Sequence, residues 1–248
     1  DAIRQAQSKN IPIIGFDSGV PGAPEGAIKA TASTDNHAAG ANAAEHLFPL
    51  LEKKLGDKPI RIGVVSQEAN SLSITQRTSG FIDKMVELLE KKGIKTAVVG
   101  HDKFKNNVSE SDAKAIIEVR VPAQVDDAAG KTEASTVLEK SDTVAIYGSN
   151  EFAAKAIINA NGSFKESKLG ADKILAVGFD SGALQQDAIR NGLFVGSVTQ
   201  DPIQIGYQSV KLAIEAAQGK EVKDVDTGSK WYDAKNIDSD EIKPLLYQ

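Results

Sequence analysis

The stretch Ile11-Pro-Ile-Ile-Gly-Phe-Asp-Ser-Gly19 decides the fold prediction, because its last five residues recur letter for letter in Ile174-Leu-Ala-Val-Gly-Phe-Asp-Ser-Gly182. In each copy a short apolar run, typical of a buried strand, is followed directly by an aspartate. In open α/β sheets, ligands bind beyond the carboxyl ends of the strands. Asp17 and Asp180 are therefore predicted to lie where a ligand would be met. Two similar lobes that face each other across a cleft would explain the repeat.

Outward from these two stretches, apolar runs of strand length alternate with segments of helical periodicity along the chain. Short, wholly apolar strands between amphipathic helices predict parallel sheets that are covered on both faces. Right-handed crossovers then give a doubly wound α/β architecture. The predicted strands are residues 11–16, 60–65, 96–99, 143–147, 174–177 and 194–199. The predicted helices are residues 34–55, 76–92, 126–140, 151–161, 185–191 and 202–218.

Two segments are harder to interpret. Residues 1–9 predict the helix of a βαβ unit that leads into the strand at Ile11, yet no strand precedes this helix. We therefore expect further residues before Asp1, although a short helix docked on a sheet edge also fits. His101–Ser111 is polar and turn-rich, and Lys114–Val121 then alternates like another strand. A surface hairpin and an extended strand pair both fit this second segment.

Composition and charge limit the classes of function. The chain has 248 residues, with 41% hydrophobic and 25% charged side chains, which is typical of a globular protein long enough for two lobes. A formal net charge of −5 provides no basic field that would attract nucleic acid or anionic lipid. The absence of cysteine excludes disulfides, thiolate catalysis and zinc–thiolate sites. No apolar run approaches the roughly 20 residues of a membrane-spanning helix.

Opposed carboxylates at Asp17 and Asp180 allow three kinds of chemistry. General acid–base catalysis, as in glycoside hydrolysis, needs the two groups at a fixed separation on either side of a bond. A hard-cation site needs further carboxylates nearby. A polyol ligand needs carboxylates that accept hydrogen bonds from adjacent hydroxyls. The purely structural alternative is a strand-to-loop turn in which each aspartate caps the turn that follows.

Several short segments, taken in their order and spacing, carry a family resemblance over nearly the whole chain. They are residues 11–17, Ala32–Asn36, Gln76–Phe81, Tyr147–Glu151, Val177–Asp180 and Val198–Gly206. Together they resemble the ribose-binding type of periplasmic sugar receptor, which is related to the effector core of lac-repressor-like regulators. The resemblance implies a type I periplasmic-binding-protein fold, in which crossing hinge segments join two lobes. The first lobe, incomplete by comparison with the family, would comprise residues 1–34 and 201–226, and the second lobe residues 35–200 and 227–248.

The resemblance also implies a set of ligand-binding residues. Asp17 and Asp180 would accept hydrogen bonds from sugar hydroxyls. Arg77, in the first turn of its predicted helix, would donate a fork of hydrogen bonds to sugar oxygens. Asn150 and Gln200 would each donate and accept. The structural alternatives are a solvated side chain at Arg77, a helix N-cap at Asn150 and a backbone-bonded hinge side chain at Gln200.

Three further positions bear on the shape of the pocket. Phe179 would either press on the C–H surface of the sugar or pack beneath the site. Ser18 follows the first aspartate where close relatives often carry arginine, and Val125 falls near the position of a common aromatic residue. These departures from the family pattern leave the identity of the sugar open.

The function that the resemblance implies is capture of a ligand. The chain would be an extracytoplasmic solute receptor that binds a free monosaccharide, a pentose or hexose, and closes on it for delivery to an ABC sugar permease. It would be a monomer without cofactor, metal or nucleic-acid partner, located in the periplasm or elsewhere outside the cytoplasm. The resemblance leaves open whether the protein is attached to a membrane as a lipoprotein. The alternatives are a sugar-sensing domain that acts with a membrane sensor kinase, and the effector-binding core of a lac-repressor-like regulator.

An enzyme is the functional class that competes with a receptor. No Gly-x-Gly-x-x-Gly, Walker loop or Gly-x-Ser-x-Gly elbow is present in the sequence. His37 and His46 are not four residues apart, as a zinc pair on one helix would be, and His101 stands alone. A glycosidase that uses Asp17 and Asp180 is the enzyme alternative. We expect no catalytic residue.

Overall fold

The computed structural model describes residues 1–247 and arranges their strands in two sheets. In chain order the elements are α1 Ala2–Ser8, β1 Ile13–Phe16, β2 Ile28–Ser33, α2 Asn36–Leu51, β3 Ile60–Val65, α3 Leu72–Lys91, β4 Thr96–Val99, β5 Ala115–Arg120, α4 Asp127–Leu138, β6 Thr143–Gly148, α5 Glu151–Asn161, β7 Leu175–Phe179, α6 Ala183–Arg190, β8 Phe194–Gln200, α7 Pro202–Ala217, β9 Val225–Asp226 and β10 Ser229–Tyr232. The smaller sheet has the strand order β1-β2-β9, and the larger has the order β10-β8-β7-β6-β3-β5-β4. Every pairing is parallel except that of β10 with β8. The expected α/β architecture with two parallel sheets is therefore confirmed, while the residue boundaries of the two lobes stay a prediction.

The larger sheet holds most of the core, because helices cover both of its faces. All six residues of β3 are buried. The helices α2 and α3 pack on one face, where Phe81 and Met85 are fully buried. The helices α4, α5 and α6 pack on the other face, which includes the buried Val137 and Ile157. Among residues 1–247, no helix is both long and apolar enough to cross a membrane.

The smaller sheet is thinner and more exposed. Helix α7 packs on it through Leu212, which meets Ala30 and Ala32 of β2. Strand β1 has a neighbour on one edge only. The outward side of α7 carries four apolar side chains that are more than half exposed, at Ile203, Tyr207, Val210 and Ile214.

Three chain crossings join the two sheets, and two of them run side by side and are bonded to each other. The chain crosses from β2 into α2, from β8 into α7 and from β9 into β10, and the first and third crossings are the bonded pair. The side chain of Asp226 accepts hydrogen bonds from the backbone amides of Asp35, at 2.9 Å, and Gly228, at 2.8 Å. The Thr34 hydroxyl donates to the carbonyl of Gly228 at 3.1 Å. These bonds fix the two crossings relative to each other, as a hinge requires.

Three strands, β2, β9 and β10, were not predicted, and helix α3 begins earlier than predicted. Strand β2, Ile28–Ser33, was not predicted, because its sequence Ile-Lys-Ala-Thr-Ala-Ser has only one large apolar residue. Helix α3 begins at Leu72, four residues before the predicted start, because Ser and β-branched residues weaken the helical pattern there. Arg77 consequently lies in the second turn of its helix, and the prediction that it lies in the first turn is wrong.

The segment between β4 and β5 is neither hairpin nor helix. It is a connection with a single 3₁₀ turn at Glu110–Asp112, and β5 then pairs in parallel with both β3 and β4. The surface hairpin is therefore wrong, since hairpin strands are antiparallel. The strand predicted at Lys114–Val121 is confirmed as β5, which lies between β3 and β4 inside the sheet.

Candidate functional site

The repeated pentapeptide adopts the same backbone turn twice. Asp17 and Asp180 both have left-handed backbone angles, with φ of 61° and 69°. The amide of Asp17 donates to the carbonyl of Ala32 at 2.9 Å, and that of Asp180 to the carbonyl of Val198 at 2.8 Å. In each case the acceptor belongs to the neighbouring parallel strand. Aspartate is among the few residues that tolerate this conformation, so the turn is encoded locally.

The side chain of Asp180 is at the centre of a buried hydrogen-bond cluster. Its Oδ2 lies 3.2 Å from a terminal guanidinium nitrogen of Arg77. The amide nitrogen of Gln200 donates to its Oδ1 at 3.1 Å, and the backbone amide of Glu151 to its Oδ2 at 3.2 Å. The residue is only 9% exposed. Three of the predicted site residues, Arg77, Asp180 and Gln200, are thus brought together.

Arg77 is held from three directions. Its Nε donates to Oδ1 of Asn36 at 2.8 Å, and Nδ2 of Asn36 in turn donates to the carbonyl of Thr34 in the first crossing segment. Its guanidinium carbon lies 4.0 Å from the centre of the Phe179 ring, a cation–π geometry. Phe179 is fully buried, so it packs beneath the guanidinium. The predicted alternative of a solvated Arg77 is wrong, because only 3% of this residue is exposed.

A close crossing of α2 and α3 sets the position of Arg77. A Cβ atom at Gly40 would lie 2.2 Å from the Arg77 carbonyl oxygen, and one at Gly80 would lie 2.0 Å from the His37 carbonyl oxygen. Only glycine allows the two backbones to approach this closely. The crossing brings Arg77 within reach of Asn36 at the start of α2. Sequence inspection did not identify Asn36, although it ends the Ala32–Asn36 segment on which the resemblance rests.

Asn150 borders this cluster and caps α5. Its Oδ1 accepts from the amide of Ala153 at 3.1 Å, and its Nδ2 donates to Oε1 of Gln67 at 2.6 Å. The N-cap alternative for Asn150 is therefore confirmed. Its neighbour Glu151 supplies the backbone amide that bonds Asp180, so the cap and the cluster are continuous.

Three buried polar atoms in and next to the cluster have no hydrogen-bond partner within residues 1–247. They are the hydroxyl of Tyr147, Oε1 of Gln200 and Oε1 of Gln185, whose Nε2 donates to the Asp180 carbonyl. The Tyr147 ring stacks on Phe81 at 4.1 Å, and burial raises the pKa of its hydroxyl well above the ordinary value. Unpaired buried polar atoms are costly and mark places where a ligand or a rearranged side chain could bond. Nothing in the local pattern pointed to Tyr147 beyond its place in the Tyr147–Glu151 segment.

Asp17 is not part of this cluster. Its side chain makes no hydrogen bond to residues 1–247, and Phe16 before it is 67% exposed. The loop after it comes close to the start of α3, where a Cβ at Gly19 would lie 2.4 Å from a methyl group of Leu72. A cavity of about 450 Å³ is lined by Gly19, the crossing segments and the start of α3. The last residue of the first copy and the start of α3 thus border the same cavity.

The cluster suits hydrogen bonding to a neutral ligand. The carboxylate of Asp180 and the guanidinium of Arg77 form a charge pair, and the amides of Gln200 and Asn150 add uncharged donors and acceptors. Burial strengthens such bonds and makes unpaired groups costly. Among residues 1–247, no three His, Asp or Glu side chains lie close enough together to hold a metal ion.

Comparison with known proteins identifies related chains. Residues 1–221 match the family described as "Periplasmic binding protein domain". The ribose import binding protein RbsB of Haemophilus influenzae is 27% identical over 224 residues, which cover 90% of this chain and 63% of that protein. The chain therefore spans less than two thirds of the length of this curated relative.

Solved structures show the same fold. An "ABC transporter, LacI family transcriptional regulator" from Brachyspira murdochii is 37% identical, with a TM-score of 0.84 over 99% of this chain and 76% of that chain. An ABC transporter solute binding protein from Agrobacterium vitis, with bound D-fucose, is 25% identical, with a TM-score of 0.75 over 99% of this chain and 74% of that chain. The two-lobed fold that the resemblance implied is therefore confirmed.

Proposed function

Because the chain belongs to the periplasmic binding protein domain family, we propose that it is an extracytoplasmic receptor for a free monosaccharide, which it binds between two lobes. The observation that carries this proposal is the buried cluster of Arg77, Asp180 and Gln200 beyond the carboxyl ends of β7 and β8. The Agrobacterium vitis relative is named as a solute binding protein with bound D-fucose, which supports a sugar ligand for this chain. The proposed lobes are residues 1–34 with 201–226, and residues 35–200 with 227–248.

Both lobes contribute to the proposed site. Asp180, Arg77, Asn150 and Gln200 form the wall supplied by the larger sheet, and Asp17 is the acceptor on the opposite wall. Phe179 contributes indirectly, because its ring lies beneath the Arg77 guanidinium and supports it. A sugar hydroxyl could replace one of the bonds within the cluster and give Oε1 of Gln200 the donor that it lacks.

The proposed mechanism is closure about the crossing segments. Asp17 follows a strand of the smaller sheet and Asp180 a strand of the larger sheet, so movement of one sheet relative to the other changes the distance between the two carboxylates. A ligand that bonds both walls shifts the population toward the closed form. Asn36 links the first crossing to Arg77, so a movement of this crossing also shifts the position of Arg77.

Selectivity follows from the burial of the polar groups. A sugar that lacks the matching hydroxyl leaves a buried donor or acceptor unpaired, which costs about 1–3 kcal/mol. The arrangement gives no nucleophile with an adjacent base, because the Asp180 carboxylate is paired with Arg77. We therefore propose a binding role without catalysis.

Delivery to an ABC sugar permease is the proposed cellular task, with the protein outside the cytoplasm. The names of the Haemophilus and Agrobacterium relatives support it, since they refer to ribose import and to an ABC transporter. The Brachyspira relative is named for both an ABC transporter and a LacI family regulator. A regulatory or sensing core is therefore the second candidate.

Calorimetric titration of the purified chain with free pentoses, hexoses and their phosphates tests the proposal. We expect one or two free sugars to bind, and Arg77→Ala to abolish this binding. Arg190→Ala, which removes an arginine from an ion pair with Asp238 on the surface, is the matched control and should bind normally. Binding of sugar phosphates alone would favour the regulatory candidate, and normal affinity in Arg77→Ala would refute the site.

A further inference from the structure

The backbone carbonyl of Asp180 accepts an unusual number of side-chain hydrogen bonds. Three buried side chains donate to this oxygen, Tyr232 at 2.7 Å, Ser197 at 3.0 Å and Gln185 at 3.0 Å. A carbonyl oxygen has two lone pairs, so three donors exceed its ordinary share. The donors come from three different elements, β10, β8 and α6. Packing of the core alone does not require such convergence on a single peptide group.

The pairing of the strands aligns these donors. Tyr232 of β10 is paired with Ser197 of β8, and Ser197 is paired with Gly178 of β7. Side chains at paired positions of neighbouring strands lie on the same face of a sheet, so the two hydroxyls are side by side. Gly178 leaves this face open, since a Cβ there would lie 2.3 Å from Nε2 of Gln185. The first glycine of the second pentapeptide thus makes room for the Gln185 amide.

These bonds hold a strained part of the backbone. Asp180 has a left-handed φ of 69°, a conformation that is unfavourable for most residues other than glycine. The peptide group before Asp180 is fixed by the bond from its amide to the Val198 carbonyl, and the peptide group after it by the three donors. Rotation about either backbone bond of Asp180 would break one of these sets. Groups that need not touch a ligand therefore set the direction of the carboxylate toward Arg77.

The first pentapeptide has only half of this arrangement. The amide of Asp17 donates to the Ala32 carbonyl, as the amide of Asp180 does to that of Val198. Within residues 1–247, however, no side chain donates to the backbone carbonyl of Asp17. The five shared residues therefore do not produce the set of three donors, which depends on β10, β8 and α6. The set accompanies the aspartate that is bonded to Arg77.

Tyr232 also connects the Asp180 carbonyl to the crossing segments. Strand β10 directly follows the crossing from β9, where the Gly228 carbonyl accepts a hydrogen bond from Thr34 of the first crossing. Burial raises the pKa of the Tyr232 hydroxyl well above its ordinary value, so the hydroxyl keeps the proton that it donates. The short bond from Tyr232 therefore fixes the Asp180 turn relative to these crossings.

We propose that Tyr232, Ser197 and Gln185 are positioning residues for sugar binding, which hold Asp180 in its left-handed turn so that its carboxylate meets the ligand. This inference rests on the proposed function, and none of the three side chains needs to contact the sugar. Without one of the donors the turn relaxes in part of the molecules. The apparent affinity then falls in proportion to the fraction that keeps the competent turn.

Titration calorimetry of Tyr232→Phe and Ser197→Ala with free pentoses and hexoses, ribose and D-fucose among them, tests the inference. We expect each variant to bind the preferred sugar of the parent chain about three- to tenfold more weakly, the effect of one lost hydrogen bond. Thr143→Val is the matched control, because the buried Thr143 hydroxyl donates to the Val137 carbonyl at 2.8 Å at the opposite end of β6. The control should lower the free energy of unfolding about as much as Tyr232→Phe and leave the sugar affinity unchanged.

The outcomes separate this inference from the receptor function. Unchanged sugar affinity in Tyr232→Phe and Ser197→Ala, or an equal loss of affinity in Thr143→Val, would refute the positioning role while the receptor function stands. If Tyr232→Phe does not fold, Ser197→Ala decides by itself. If the parent chain binds no sugar, the receptor function fails, and the positioning role fails with it.

Discussion

The two copies of Gly-Phe-Asp-Ser-Gly have the same sequence and the same backbone turn but opposite surroundings. Phe16 of the first copy is 67% exposed, whereas Phe179 of the second is fully buried beneath Arg77. Asp17 makes no side-chain hydrogen bond within residues 1–247, whereas Asp180 bonds Arg77, Gln200 and the backbone. Five identical residues therefore encode the turn, while the neighbouring elements decide what the turn does.

The sheets account for this difference. The second copy follows β7, which has a parallel neighbour on either side and the α2–α3 layer packed against it. The first copy follows β1, which is the edge of a sheet of three strands. The second copy is thus part of a finished buried cluster, whereas the first copy ends an edge strand and has an uncommitted carboxylate.

Removal of the two phenylalanine rings should give the largest contrast. Phe179→Ala leaves a cavity in the core and takes away the support of Arg77, so the free energy of unfolding should fall by about 3–5 kcal/mol. Phe16→Ala removes a mostly exposed ring and should change it by less than about 0.5 kcal/mol. Urea unfolding of both variants measures the difference. Equal losses would mean that the two copies are equally buried in solution.

Glycine at the two aspartates should give effects of opposite sign. Asp180→Gly leaves the guanidinium of Arg77 buried without its partner, which should cost about 2–4 kcal/mol, less than for a fully buried pair. Asp17→Gly relieves a left-handed backbone without losing a side-chain bond, so it should be neutral or stabilise by less than about 1 kcal/mol. Thermal unfolding midpoints distinguish the two. A comparable loss in Asp17→Gly would reveal an unrecognised partner of Asp17.

The helices that cover the two sheets extend the contrast. Gly40→Ala in α2 would bring a methyl group to 2.2 Å from the Arg77 carbonyl oxygen, so the helices must move apart at a cost of about 1–3 kcal/mol. Gly206→Ala in α7 meets no atom within 4 Å and should stabilise by about 0.5–1 kcal/mol. Denaturation midpoints provide the comparison. Stabilisation by Gly40→Ala would argue against the close crossing.

Acid should weaken the larger sheet through Glu118. Burial raises the pKa of this carboxyl, but hydrogen bonds from Lys140 and Arg120 outweigh burial, and the net pKa is lowered. Because the folded pKa is below the ordinary value of 4.5, the stabilisation is present above that value and is lost as pH falls through the folded pKa.

Glu118→Gln tests this pH dependence. The variant should show a shallower fall of unfolding free energy below about pH 4.5 than the parent chain. Glu25→Gln, at an exposed carboxylate between β1 and β2, should leave the slope unchanged. Identical slopes in the parent and Glu118→Gln would remove Glu118 from the acid response.

The sequence predicted the fold well where strands are apolar and buried. Strands such as β3 and β7 were found because their runs are wholly apolar or nearly so, whereas β2 was missed because alanine, threonine and lysine alternate there. The first residues of α3 were also missed, and with them the true turn of Arg77. Local pattern identifies strands that bury large side chains and fails for strands that do not.

The site was only partly predictable. The repeat identified Asp17 and Asp180, and the family resemblance added Arg77, but no local pattern pairs residues that are far apart in the chain. The bond from Arg77 to Asn36 depends on the Gly40–Gly80 crossing, which only the packed helices reveal. The buried hydroxyl of Tyr147 likewise results from packing in three dimensions.

A crystal structure of the chain with its bound sugar tests the central claim most directly. The account predicts sugar oxygens within hydrogen-bonding distance of Arg77 and Asp180 on one side and of Asp17 on the other, with the two copies of the pentapeptide facing each other across the ligand. A sugar bound without contact to Arg77 or Asp180, with their cluster unchanged, would contradict it.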